Sequence, residues 1–153
     1  MRRETDAVDW RRVTSLDPNQ YPLFPNLAAV PRTIFTNPHL IVEKFLPERE
    51  GDLYCLRNWI GLGDVGENVR AFSEQPIVKA AVAFGHTPVP VPAELTAWRQ
   101  AIGMDYGKID YVMPAGRLVV LDVNPTPTYR GPDPHPLLQS ATQSMAQALL
   151  KTL

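Results

Sequence analysis

Two carboxylates and one amide occur late in the sequence in an arrangement that suits a magnesium ion. Asp110 lies in the stretch Gly107–Tyr111, and Asp122 and Asn124 follow in the run Leu121–Pro125. Side chains alternate faces along a strand, so Asp122 and Asn124 are expected to point the same way. Mg²⁺ takes oxygen ligands and usually completes its shell with water and substrate phosphates. The set contains no His or Cys, which argues against zinc.

A β-hairpin is expected to bring these three residues together. Tyr106–Met113 and Arg117–Asn124 read as strands, joined by a tight Pro-Ala-Gly turn. With that loop, Asp110 opposes Val120 and lies diagonal to Asp122, at roughly 7–8 Å between Cα atoms. Three oxygen-bearing side chains would then converge at one end of the hairpin.

Two alternatives stay open from spacing alone. A slip of one residue in the pairing would move Asp110 to the opposite face of the hairpin. The Asp122–Pro125 run also fits a simple strand ending, because Asp and Asn favour turns.

The rest of the chain predicts short elements, because its sixteen prolines interrupt long ones. We expect further strands at Leu40–Leu46, Leu53–Leu62, near Val69–Phe72 and at Ile77–Ala83, with a loop at Gly85–Pro92. Helices are expected from Pro92 to about Gly103 and over Leu137–Leu153, the latter with a buried stripe that includes Leu138, Ala141, Met145, Ala148 and Leu149. The predicted class is α+β, with a mainly antiparallel sheet and about two helices.

Composition excludes several function classes. The chain has 153 residues, which fits one domain or one piece of a larger fold, and a formal net charge of −1, which rules out a general electrostatic grip on nucleic acid. No apolar run is long enough to cross a membrane, and no secretory signal follows the N-terminus. The single cysteine, Cys55, fits a reducing cytoplasm. Residues 1–39 are expected to form a proline-rich arm or a remnant of a preceding subdomain, and residues 40–153 the main domain.

The hairpin residues resemble the C-terminal half of the ATP-grasp superfamily. The similarity covers Gly103–Tyr111, Gly116 and Leu121–Pro127. In that family, a carboxylate on one strand and an acid-x-Asn on the next hold the magnesium ions of Mg-ATP. The resemblance implies that Asp110, Asp122 and Asn124 are metal ligands.

A second similarity lies upstream, where the family clamps adenine against a hinge strand. The run Val42–Glu50 is similar to that strand. The resemblance implies that backbone groups of Glu43, Lys44, Phe45 and Leu46 bind the adenine edge, and that Glu50, or less favourably Glu48, binds the ribose hydroxyls. Read without the family, the same run is a half-buried strand followed by a charged turn.

Arg57 lies in the strand after the hinge, where several carboxylate-amine ligases of the superfamily place an arginine that reaches phosphate. The resemblance implies a catalytic role for Arg57, whereas a salt bridge to one of the sixteen acids is an equal alternative. Lys79 and Lys108 are weaker candidates for phosphate contact.

The resemblance covers roughly residues 30–153, and no lysine or glycine-rich lid precedes the hinge, because the first lysine is Lys44 and the first glycine is Gly51. It implies a cytoplasmic ligase that uses ATP and Mg²⁺ on an unknown carboxylate to form an acyl phosphate for attack by an amine or a thiol. A missing N-terminal portion or a partner chain would complete the enzyme. No membrane partner is expected. A catalytically inactive nucleotide- or metal-binding remnant is the main alternative, and a plain α+β interaction domain is the third.

Overall fold

A computed structural model describes residues 8–17, 21–80, 82–127 and 136–150, with side chains from residue 139 onward in the last range. The chain divides into two compact units, Met1–Leu46 and Pro47–Leu153. The boundary places the predicted hinge residues 43–46 in the first unit and the predicted metal ligands in the second.

The first unit is built around a small apolar cluster of Trp10, Val30 and Ile34. Among its described residues, the regular elements are a 3₁₀ helix, Leu27–Ala29, and a one-turn helix α1, Arg32–Phe35. Buried Asn37 donates its amide to the carbonyl oxygens of Trp10 at 2.7 Å and Val13 at 2.8 Å. These bonds satisfy backbone groups that proline-rich segments leave without helix or sheet partners.

The second unit contains a six-stranded sheet in which every pairing is antiparallel. The strand order is β4-β3-β2-β5-β6, and β1 pairs with β2 alongside this path. The strands are β1 Glu48–Glu50, β2 Leu53–Leu62, β3 Val65–Ser73, β4 Phe84–Pro88, β5 Tyr106–Val112 and β6 Val119–Asn124.

Two helices cover the sheet. Helix α2, Ala93–Ala101, packs fully buried Leu95 against the core cluster that contains Trp59 and Tyr111. Helix α3, Pro136–Leu150, packs against β3 and β2, and Ser140 Oγ lies 3.2 Å from Glu67 Oε1. No helix in the described ranges is long and apolar enough to cross a bilayer.

The core face of the sheet is centred on Trp59, which is 2 % exposed. A side chain on Gly61 would place its Cβ 2.6 Å from Trp59 Cζ2 and 2.6 Å from the Val65 carbonyl oxygen, so glycine leaves the space that the indole occupies. The guanidinium carbon of Arg99 lies 3.6 Å from the indole centroid, and Arg99 Nη2 donates to the Gly63 carbonyl at 2.7 Å. These contacts join α2 to the β2–β3 hairpin.

The predicted α+β class with a mainly antiparallel sheet is confirmed, and β2, β3, β5, β6, α2 and α3 lie where sequence patterns placed them. The short helix α1 and strand β1 were not predicted. Within the predicted stripe of α3, Ala141 and Met145 are buried whereas Leu149 is 52 % exposed, and Leu138 lies outside the described side chains.

Two predicted strands are absent from the described residues. Leu40–Leu46 forms no strand, and the described part of Ile77–Ala83 forms turns in which the Lys79 carbonyl accepts from the N–H groups of Val82 and Ala83. Strand β4, Phe84–Pro88, pairs with β3 and includes the first part of the predicted Gly85–Pro92 loop, which was therefore wrong at Gly85–Pro88. The reason is that strand formation depends on an available edge as well as on local β-propensity.

Candidate functional site

The register of β5 and β6 sets Asp110 directly opposite Asp122 and Lys108 directly opposite Asn124. Directly opposed residues share a face of the sheet, and residues two apart on one strand share it too. The two carboxylates, the amide and the Lys108 ammonium therefore lie on one face in two adjacent rows. We refer to Asp110, Asp122 and Asn124 as the oxygen triad.

A β-bulge produces this register and corrects the predicted one. Tyr111 pairs with Val120 whereas Asp110 pairs with Asp122, so Leu121 is an extra residue on β6. The predicted hairpin had Asp110 opposite Val120, with Val120 and Asp122 on the same face. The extra residue shifts the alternation, so Val120 packs against the core cluster while Asp122 faces the other side.

Asp110 is the most constrained member of the oxygen triad. Its Oδ1 accepts a hydrogen bond from Asn58 Nδ2, across the β2–β5 pairing. Lys108 Nζ lies 2.7 Å from Oδ1 and 2.8 Å from Oδ2 of the same carboxylate. The sequence indicates Lys108 only as a weaker candidate for phosphate contact and predicts no role for Asn58.

The other two triad members are more open. Asp122 is exposed, and Asn124 is half-buried with its Oδ1 accepting from the Thr126 N–H at 2.9 Å. That bond is the turn-forming interaction proposed as the alternative for the Asp122–Pro125 run. A carbonyl oxygen has two lone pairs, so this bond leaves Asn124 Oδ1 able to contact a cation as well.

Gly107 allows the end of β6 to approach β5 closely. Its φ is +146°, and a Cβ built there would lie 2.6 Å from the Asn124 carbonyl oxygen and would also clash with Met104 Cε. Only glycine fits both the backbone angle and the space. Gly107 belongs to the family pattern, but the alternation of side chains along β5 does not predict that the Asn124 backbone lies so close to it.

Arg57 lies on the opposite face of the sheet from the oxygen triad. It pairs with Tyr111, whereas its neighbour Asn58 pairs with Asp110, and consecutive residues point to opposite faces. Arg57 donates from Nε to both carboxylate oxygens of Glu48 at 3.0 Å and from Nη2 to Oε1 at 2.8 Å. This hydrogen bonding to Glu48 raises the pKa of Arg57.

Glu48 and Glu50, the two candidate ribose ligands, also form ion pairs within the unit. Glu48 is 7 % exposed, and its Oε2 accepts the Met113 N–H at 2.7 Å, which joins β1 to the end of β5. Glu50 is more exposed and its Oε2 lies 2.5 Å from Arg70 Nη2. The salt-bridge alternative for Arg57 is therefore present, while its catalytic role stays a prediction.

The four predicted adenine contacts, residues 43–46, lie in the first unit. Glu43, Lys44 and Phe45 are exposed and Leu46 is half-buried, in a segment without regular secondary structure. Their role in adenine binding stays a prediction.

A buried polar pair lies beside the Glu48–Arg57 ion pair on the core face. Tyr111 Oη donates to Asn68 Oδ1 at 3.0 Å, and burial raises the pKa of the Tyr111 phenol. Burial likewise raises the pKa of the Cys55 thiol, which is 3 % exposed, as expected for a core cysteine. These groups hold the sheet together on the side away from the oxygen triad.

In the described part of the chain, no three His, Cys, Asp or Glu side chains form a cluster that would hold a metal ion. The oxygen triad contains only two carboxylates and one amide, so it does not count as such a cluster. No family model matches the chain, and neither a curated protein nor a solved structure shows significant similarity to it.

Proposed function

We propose that the second unit binds a magnesium–nucleotide complex, with ATP as the nucleotide, through the oxygen triad. The observation that carries the proposal is the register of β5 and β6, with Asp110 directly opposite Asp122 and Asn124 in the next row. Opposed side chains on a sheet have Cβ atoms about 4.5–5.5 Å apart, a separation that one cation can bridge. The resemblance to the ATP-grasp superfamily supports ATP as the nucleotide.

The chemistry of the donor set fits magnesium. All three ligands would be oxygen atoms, and Mg²⁺ sites commonly use one or two carboxylates and leave the remaining positions to water and phosphate oxygens. Two like charges directly opposite each other destabilise a sheet. The Lys108 ammonium, 2.7 and 2.8 Å from the Asp110 oxygens, offsets part of this repulsion, and a cation between Asp110 and Asp122 would offset the rest. When bound, the metal would neutralise charge on the nucleotide phosphates.

The family activity that follows is ATP-dependent ligation of a carboxylate to an amine or a thiol. In that activity, Asp110, Asp122 and Asn124 would orient the metal-bound phosphates. The family role of Arg57 at the transferred group is left out of this proposal, because Arg57 lies on the opposite face of the sheet and donates to Glu48. The adenine contacts at residues 43–46 and the ribose contact at Glu50 stay predictions from the resemblance, outside the site proposed here for the second unit.

A second candidate is a nucleotide- or metal-binding domain without turnover. Two contacts favour it: Arg57 is bonded to buried Glu48, and Glu50 pairs with Arg70. Side chains held in ion pairs with their own sheet are less available for a substrate.

Calorimetric titration of the full chain with Mg-ATP tests both candidates. We expect saturable binding that falls at least tenfold in Asp122→Asn, because a charged ligand contributes more than about 1.4 kcal/mol. Asp52→Asn is the matched control, since Asp52 is a fully exposed acid in the β1–β2 turn. Absence of binding, or equal losses in both variants, would contradict the proposal.

Turnover separates the two candidates. ADP release with a panel of small carboxylates and amines would support the ligase, provided that Asp122→Asn abolishes it. Binding of Mg-ATP without ADP release across the panel would support the domain without turnover.

A further inference from the structure

The Asp110 carboxylate is already in contact with a positive charge that belongs to the protein. The Lys108 ammonium reaches both of its oxygens, at 2.7 and 2.8 Å, and Asn58 donates a further hydrogen bond to Oδ1. An ionised carboxylate offers about four acceptor sites in total. Lys108 and Asn58 therefore occupy most of the capacity of the central residue in the oxygen triad.

A divalent cation that binds Asp110 would meet this ammonium at close range. The Asp110 side chain is 19 % exposed, so solvent screens the repulsion between the two cations less than it would at the surface. Lys108 must then withdraw from at least one Asp110 oxygen. It is able to do so, because its side chain is 36 % exposed and carries its charge on a flexible four-carbon stem.

We propose that Lys108 is a tethered cation that makes the oxygen triad selective for a divalent metal already bound to a polyphosphate. This inference rests on the function proposed above. A free metal ion displaces the ammonium and leaves it without a counter-ion. A metal–polyphosphate complex brings anionic oxygens that accept the displaced ammonium, so the two binding events support each other. Lys108 is thus a residue that determines specificity.

Calorimetry on the full chain tests this, with MnCl₂ and Mn-ATP as probes. Lys108→Gln is expected to bind free Mn²⁺ at least about fivefold more tightly than the wild type, and to bind Mn-ATP less tightly. Lys108→Arg keeps the charge and is expected to retain the wild-type preference. Replacing ATP with tripolyphosphate shows whether the polyphosphate alone is sufficient.

Arg117→Gln is the matched control. It removes one positive charge from an exposed residue beyond the Val112–Val119 pair that ends the β5–β6 ladder. If net charge alone governed binding, the affinity for free Mn²⁺ would change equally in Lys108→Gln and Arg117→Gln. A role confined to structure would lower the affinities for both probes together and leave their ratio unchanged.

The outcomes separate this inference from the proposed function. If the wild type binds Mn-ATP but Lys108→Gln leaves the ratio of the two affinities unchanged, the tethered-cation role is refuted and the proposed function stands. If the wild type binds no Mn-ATP, both are refuted. Lys108→Met, a second neutral variant of similar length, gives the same test should Lys108→Gln fail to fold by circular dichroism.

Discussion

Replacing Glu48 with glutamine should destabilise the second unit far more than the same change at Glu50. Both acids lie on β1 and both pair with an arginine of the sheet. They differ in burial, since the Glu48 side chain is 8 % exposed and the Glu50 side chain 59 %. The two substitutions therefore compare a buried ion pair, whose acid also accepts the Met113 N–H, with a solvated ion pair on the same strand.

The expected magnitudes follow from those contacts. Removing one partner of a buried ion pair costs about 3–5 kcal/mol, because the other charge is left without compensation. Arg57 retains some solvent contact, with 17 % of its side chain exposed, and glutamine keeps one acceptor oxygen, so we expect about 2–4 kcal/mol for Glu48→Gln. Glu50→Gln breaks a largely solvated pair and should cost less than about 1 kcal/mol.

Urea unfolding followed by tryptophan fluorescence provides the assay, since Trp59 is buried in the same sheet. A double-mutant cycle with Arg57→Gln isolates the pair, and removing both charges should cost less than the sum of the single changes. Equal, small losses in Glu48→Gln and Glu50→Gln would refute the reasoning, because they would show that the Glu48–Arg57 pair is no stronger than a surface pair.

The same variants bear on the predicted catalytic role of Arg57. Arg57→Lys keeps the charge but loses the two-pronged geometry that contacts Glu48. A loss of stability with unchanged Mg-ATP affinity and turnover would assign Arg57 to structure. A loss of turnover beyond that of equally destabilised Glu48→Gln would assign it to catalysis.

Two further predictions concern the backbone and the pH dependence. Gly107→Ala should destabilise the fold by about 1–3 kcal/mol and weaken Mg-ATP binding, because the added Cβ forces the Asn124 backbone away. Unchanged Mg-ATP binding in calorimetry would contradict the inference that the Asn124 carbonyl must lie close to Gly107. Burial raises the pKa of Tyr111, so its contribution to stability is complete below about pH 10, the pKa of an unfolded tyrosine, and is lost as pH rises through the folded value. Urea unfolding at a series of pH values should show that Tyr111→Phe no longer loses stability in the alkaline range. The substitution should itself cost about 1–3 kcal/mol, because the Asn68 oxygen is left without its donor. The same alkaline loss of stability in Tyr111→Phe would contradict this assignment.

The sequence by itself determined the class of the fold and the composition of the candidate site. Alternation and turn residues marked β2, β5 and β6, and helical spacing marked α2, because these signals act within a few residues. The family pattern singled out Asp110, Asp122 and Asn124 as one set, by residue type and order along the chain.

Tertiary structure alone decided how those residues meet. The bulge at Leu121 turns a diagonal relation between Asp110 and Asp122 into a direct one, and local propensity does not encode where an extra residue is accommodated. The pairing of β1 with β2 places Glu48 near Arg57 on one face of the sheet. The pairing of β5 with β2 places Asp110 beside Asn58 on the other face. Such contacts join residues far apart in sequence, so they depend on which strands become neighbours when the chain buries its apolar face.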